Sequence, residues 1–399
     1  MQEPLLLCLL RKALAGKTAT TVLEPHGIPD DELSEVLRQA QSHQVLPLLY
    51  DVLCREEDIR EADRERIQRA ARKTVSQNFH LFITTRFLTE NLKQAGIPVA
   101  VLKGWATASY YPVPELRKSG DVDLLLAEPE KMKAAIRTLK GLGARVMEHQ
   151  PSLHHVVLKT AEGIEVELHT MIAEPFDNQK MNAYMEQCRQ LFAEHVTEQE
   201  ILGCKLPVLL GACHGYELLL HMLQHFLRAG FGLKLLCDWV VFWQEELPEK
   251  EQALYLKLVK ESGLKNFSDL ITESCVRYLG LPEEKVCWMQ IKKSVPVTDF
   301  MQEVMEAGEF GRTSKDRMVA LRQKGAAGYV REFHHQMHLN FPSAGRWVPL
   351  WPVLWILTLY QFLRNNRRVR KTSSIRILRK AALRGKLVSS LQLFRDTER

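Results

Sequence analysis

The sequence predicts an α+β protein: a small mixed sheet with helices, flanked by helical regions on its N- and C-terminal sides. Three observations predict it. Apolar residues recur at helical spacing up to about residue 95. Short apolar or alternating runs, punctuated by Gly and Pro, take over between 97 and 170. Helical spacing returns from about residue 209. The chain accordingly divides into an N-terminal helical region (1–95), an α/β core (96–208), a helical domain covering the cleft of that core (209–330), and an apolar helix with a basic tail (331–399).

The first region is expected to be helical, with Asp30 and Asp31 starting a helix through ELSEVLRQAQ. A long charged helix over 57–95 ends at Gly96, a C-cap candidate followed by Pro98. PVAVL (98–102) reads as a strand, and KGWATASYY (103–111) as a short helix stopped by Pro112 and Pro114. DVDLLL (121–126) is a strand and 129–143 a helix ending in glycine. HHVVLKT (154–160) and GIEVELH (163–169) are strands across the turn AEG. Helices follow over LLGACHGYELLLHMLQHFLRA and LKLLCDWVVFWQEEL, then near 249–262 and 266–279.

At 399 residues, the chain is long enough for two to three structural units. Its 46% hydrophobic and 26% charged residues exclude a disordered chain, a fibrous repeat and a multi-span membrane protein. The net charge of +6 is uneven. Residues 364–399 carry twelve Lys/Arg against two Asp/Glu, a net +10, which leaves −4 on residues 1–363. A mildly acidic body argues against nucleic acid as a partner. The basic tail suits phosphates, anionic lipid or an acidic partner. Eight cysteines without a C-x-x-C pattern fit a reduced, cytoplasmic protein. The N-terminal apolar run has its acid before it and its basic residues after it, the reverse of a signal peptide.

The chemistry concentrates in VLKGWATASYYPVPELRKSGDVDLLL. Asp121 and Asp123 are two apart on a strand, so both carboxylates share one face while Val122 and Leu124 take the other. Adjacent carboxylates repel unless a cation sits between them. Such a pair suits a hard divalent ion, Mg²⁺ or Mn²⁺, and phosphoryl or nucleotidyl displacement. The turn at Lys103-Gly104 offers backbone N–H groups and a positive charge for phosphate, and Arg117 precedes the first Asp by four residues. A third acid is expected from a neighbouring strand. Glu165 and Glu167 share one face of GIEVELH, opposite Ile164, Val166 and Leu168.

These residues resemble the DNA polymerase β-type nucleotidyltransferase superfamily, and more specifically the bacterial family of uncharacterised nucleotidyltransferases. The matching pieces are Leu102-Lys103-Gly104, Tyr111-Pro112, Arg117, Asp121-Val122-Asp123, Glu167-Leu168-His169, His221-x-x-x-His225 and Asp238, over roughly residues 30–330. The resemblance implies a polymerase β-type nucleotidyltransferase core. It also implies Mg²⁺ (or Mn²⁺) held by Asp121, Asp123 and Glu167, with Glu167 preferred over Glu165 because it directly precedes Leu-His. A nucleoside triphosphate would be the donor, its nucleotide passing to an unknown small-molecule, peptide or protein acceptor with release of pyrophosphate. Lys103, Gly104, Arg117, His169, His225 and Asp238 would contact substrate or phosphate. One departure is that Trp105 follows Lys103-Gly104 where the superfamily has Gly-Gly or Gly-Ser, so a Ser hydroxyl for the triphosphate is absent.

Two other readings belong beside it. One is a catalytically silent nucleotide-binding or protein-interaction module on the same fold. The other is a membrane-peripheral transferase acting on a lipid or envelope precursor, at the inner face of a membrane, with 347–386 as anchor. Residues 347–363 are apolar for seventeen positions, short for a spanning helix, and either pack on the body or lie in a membrane interface ahead of RNNRRVRK. Asp238 in LLCDWVVFW needs a partner, with His225 and Lys234 as candidates. Trp239, Phe242 and Trp243 have core spacing. His221 and His225, and more weakly His334, His335 and His338, have spacings that also allow metal ligation.

Overall fold

The computed structural model describes residues 4–15, 28–54, 59–147, 155–228, 230–292, 296–308, 347–365 and 384–394, with isolated positions between 334 and 341. A seven-stranded mixed sheet organises it. The strands are β1 (Val99–Val101), β2 (Val122–Leu126), β3 (Arg145–Val146), β4 (His155–Lys159), β5 (Glu165–His169), β6 (Val196–Ile201) and β7 (Cys204–Leu209), in the order β3-β4-β5-β2-β1-β7-β6. β1 runs antiparallel to β2, and β2 pairs in parallel with β5. β1 pairs in parallel with β7.

The period of two sorts the side chains. Val99, Val101, Val122, Leu124, Val166 and Leu168 face one apolar cluster, shared with the long helix Glu61–Gln94 and the helix Met132–Gly141. Ala100, Leu102 and Leu125 belong to the larger cluster on the other side. That cluster joins the helices Gly211–Arg228, Leu233–Gln244, Glu249–Glu261 and Lys265–Leu279 to the N-terminal helix Leu5–Ala15. Arg11 ties the N-terminal helix to Lys265–Leu279, its Nε donating to the Tyr278 carbonyl at 2.9 Å.

Two glycines are required by geometry. A Cβ at Gly215 would meet Phe242 at 2.7 Å and Trp243 at 3.0 Å, so only glycine lets helix Gly211–Arg228 sit this close to Leu233–Gln244. Gly104 takes φ 58° and ψ −117°, a conformation that side chains resist, just before the short helix Trp105–Ala108. Trp239, Phe242 and Trp243 are buried in the core, as their spacing predicts.

The structure adds three features to the sequence reading. The hairpin β6–β7 extends the sheet beyond the strands expected from 97–170. Helix Trp351–Asn365 does not pack flat on the body: Leu354 and Thr358 are buried, but Val353, Ile356 and Tyr360 are exposed. The basic tail is not a free arm throughout, because Leu387 and Leu391 are buried and Arg384 is held by Glu303 and the Phe226 carbonyl.

Candidate active site

β2 and β5 pair in parallel with Asp123 directly opposite Glu167 and Leu125 opposite His169. Both acids therefore point to the same side of the sheet, away from the Val122/Leu124/Val166/Leu168 face. Asp121 stands one residue before β2, and Glu165 at the start of β5 is exposed. Lys103 follows β1, where the Leu102 N–H donates to the Asp123 carbonyl at 3.1 Å. That extension of the ladder brings the Lys103 Nζ to 2.9 Å from Asp123 Oδ1. His169 Nε2 lies 3.0 Å from the same oxygen and 3.3 Å from Glu167 Oε2.

Burial pushes the Asp123 carboxyl up, but Lys103 and His169 outweigh it and hold the group well below the usual carboxylate range. Burial lowers His169, yet its bonds to Asp123 and Glu167 win and raise it to about 9. Lys103 is likewise raised against burial, by Asp123, Glu217 and Asp121. For Asp121, Lys103 and Lys234 pull downward but do not prevail. Burial and then the charge of Asp123 push it up to about 6. Among the described residues, one group offers three ligand atoms within 4.8 Å of one another: Asp123, Glu167 and His169.

Arg117 lies deeper than expected. Its Nε and Nη2 donate to the two oxygens of Asp238 at 2.6 and 2.8 Å. Nη1 donates to Ser119 Oγ at 2.8 Å and to the Gly104 carbonyl at 3.3 Å. The expectation that Arg117 holds a phosphate oxygen thus meets a guanidinium that makes four hydrogen bonds to protein groups. The Tyr111 hydroxyl donates to Asp238 Oδ1 at 2.7 Å. Asp238 therefore pairs with Arg117 and Tyr111, not with His225 or Lys234. The reason is topological: the 113–121 loop is clamped to the long helix by Asn78, whose Nδ2 donates to the Glu115 and Arg117 carbonyls at 2.7 Å.

Helix Gly211–Arg228 covers this face. Burial, with Lys103 and Arg228 next, depresses His225 to about 4. Burial and Lys103 hold His221 well below its usual value. The two rings meet edge to face at 4.5 Å. Sequence reading missed Glu217. It is 1% exposed, its Oε2 has no hydrogen-bond partner, and it senses Lys103, Asp123 and His169. Burial raises its carboxyl to about 8, even against Lys103. The signal was available, because Glu217, His221 and His225 are spaced by four and form one helical stripe. His334 and His338 bond to each other at 3.2 Å beside Trp351, and His335 lies outside the described residues.

Residues 29–280 match a family described as "Uncharacterised nucleotidyltransferase". Among solved structures, the chain is similar to an antigenic nucleotidyltransferase-like protein from Paracoccidioides brasiliensis. That likeness is 17% identical with a TM-score of 0.30, covering 50% of this chain and 92% of the other. No curated protein matches the chain.

Proposed function

The chain belongs to the family of uncharacterised nucleotidyltransferases, and from that premise we propose that it moves a nucleotide from a nucleoside triphosphate to an acceptor, releasing pyrophosphate, with Mg²⁺ or Mn²⁺ as the cofactor. The observation that carries this reading is the register that sets Asp123 against Glu167 on adjacent parallel strands, with Asp121 two residues before Asp123. Asp121, Asp123, Glu167 and Glu217 outnumber the cations among them. Lys103 and His169 are in contact, and Lys234 acts on Asp121 from the neighbouring helix. Two of these carboxyls, Asp121 and Glu217, are raised by burial without a countercharge to match.

Such a surplus of oxygen donors fits a hard divalent ion. Asp121, Asp123 and Glu167 would hold it, and when bound it would neutralise phosphate charge and acidify the acceptor hydroxyl. Lys103, one-fifth exposed, exchanges Asp123 for a phosphate oxygen. The Gly104 backbone sits beside it with its turn fixed by Arg117 Nη1. Asp238 and Tyr111 keep Arg117 in that position. His169 orients Asp123 and Glu167 through Nε2, and His225 lines the substrate side with an uncharged ring. Positioning and charge account for most of the rate in such a transfer.

The test is incubation of the full chain with each labelled nucleoside triphosphate, Mg²⁺ or Mn²⁺, and cell extract. A labelled product that needs the cation and is lost in Asp123→Asn supports the reading. Undiminished turnover in Asp123→Asn contradicts it. A second reading, nucleotide binding without turnover, is favoured by Trp105, whose Nε1 is committed to the Asn78 carbonyl at 2.9 Å where a hydroxyl is usual. It would show as nucleotide binding with no labelled product.

A further inference from the structure

Helix Trp351–Asn365 leaves most of its apolar surface open. Leu354 and Thr358, one turn apart, face inward. Val353, Ile356, Leu357 and Tyr360 are 57%, 67%, 42% and 58% exposed, and Trp347 and Val348 just ahead are 68% and 59% exposed. Apolar exposure this contiguous marks an interaction surface. We propose that this face docks on a bilayer containing anionic lipid, with the apolar side chains at the acyl boundary and the following basic residues on the headgroups.

Charge selects the occupant. Between Trp347 and Leu383 there is no Asp or Glu, and there are eight Lys/Arg, beginning with Arg364, Arg367 and Arg368. A single-sign cluster next to an apolar helix suits an anionic lipid surface. It disfavours a second copy of this chain, which would bring two such clusters together. Length sets the mode. The fifteen described residues of the helix rise about 22 Å, against a hydrocarbon core of about 30 Å. No helix among the described residues is long and apolar enough to cross a membrane. The helix therefore lies on the surface. Trp347, Trp355 and Tyr360 are the aromatic types that settle at that depth. The chain returns to the body just beyond the basic stretch, where Asn266 Nδ2 donates to the Leu391 carbonyl at 3.1 Å.

The test is flotation of the full chain with vesicles of phosphatidylcholine alone and of phosphatidylcholine with phosphatidylserine. The wild type floats with the anionic vesicles. Raising salt from about 0.1 M to about 1 M, which shortens the Debye length from about 10 Å to about 3 Å, weakens it. Ile356→Asp with Tyr360→Asp, both at exposed positions, lowers the bound fraction about tenfold. Arg367→Glu with Arg368→Glu lowers it on anionic vesicles through charge alone. A chain that stays unbound with anionic vesicles, floats equally with neutral ones, or floats undiminished in both double variants overturns the proposal. So does a dimer in sedimentation velocity that Ile356→Asp with Tyr360→Asp abolishes.

Discussion

Arg117 and Asp238, 121 residues apart, meet in a buried bidentate pair, with Nε–Oδ1 at 2.6 Å and Nη2–Oδ2 at 2.8 Å. The pair joins the loop that leads into β2 to the helix Leu233–Gln244, and so fixes the acidic strand end beneath the helical layer. Removing one partner leaves an uncompensated buried charge. Asp238→Ala is expected to cost about 3–5 kcal/mol, whereas Arg117→Met with Asp238→Leu recovers much of that loss. Urea unfolding of the two variants beside the wild type checks it. A loss below about 1 kcal/mol in Asp238→Ala would place the pair in the class of solvated surface bridges.

His43 makes acid stability legible. Its Nδ1 accepts from the Leu233 N–H at 3.2 Å, and its ring also bonds the Met305 backbone. Burial lowers it to about 4, against about 6.5 unfolded. The unfolded chain then binds more protons between these values. The stabilisation is full above about pH 6.5 and falls as pH drops toward 4. About 2 kcal/mol should be lost between pH 7 and pH 5 through this group. In His43→Gln the slope of the urea midpoint against pH over that window flattens. An unchanged slope refutes the assignment.

Glu217 has the opposite sign. Its carboxyl is raised to about 8, so in the cation-free protein the native state binds the extra proton and stability falls as pH rises from about 4.5 to 8. Glu217→Gln keeps the shape of the neutral acid. At pH 8 in chelator it is expected to be more stable than wild type by about 1–3 kcal/mol, and to lose affinity for Mn²⁺. A destabilised Glu217→Gln at pH 8 would mean that the carboxylate is better paired than its open Oε2 implies.

Lys103 occupies the Asp123 oxygen that the proposed divalent cation would need. Lys103→Met is therefore expected to tighten Mn²⁺ binding several-fold and to weaken nucleoside triphosphate binding about tenfold, the loss of one charge-assisted contact. Calorimetric titration of each ligand separates the two effects. Weaker Mn²⁺ binding in Lys103→Met would show that the lysine supports the acids instead of screening them.

Much of this site was legible in the sequence because a strand's alternation is local. Val122 and Leu124, with Val166 and Leu168, declared one face of the sheet, and Asp123 and Glu167 followed onto the other. The pairing of those two acids was not readable, since register depends on where β5 lies. The Arg117–Asp238 pair was hidden for the same reason: nothing near Asp238 in sequence announces a guanidinium 121 residues away. Helical spacing did contain Glu217, but its burial beside Lys103 depends on how helix Gly211–Arg228 docks on the sheet, which no local pattern carries. The β6–β7 hairpin escaped because its turn uses Leu202 and Gly203, at φ 49° and 72°, in place of Asn-Gly, and because Pro207 sits inside a strand. For helix Trp351–Asn365 the run of apolar residues fixed helicity without saying which side would be covered.

The central claim is that carboxylates converging from the β2 and β5 strand ends hold a divalent cation for nucleotide transfer. Mn²⁺ binding followed by electron paramagnetic resonance tests it most directly, on wild type and on Asp123→Asn with matched urea midpoints. The account predicts saturable binding in the wild type, strengthened by a nucleoside triphosphate, and a loss of at least about tenfold in Asp123→Asn. Equal Mn²⁺ affinity in the two proteins would contradict it.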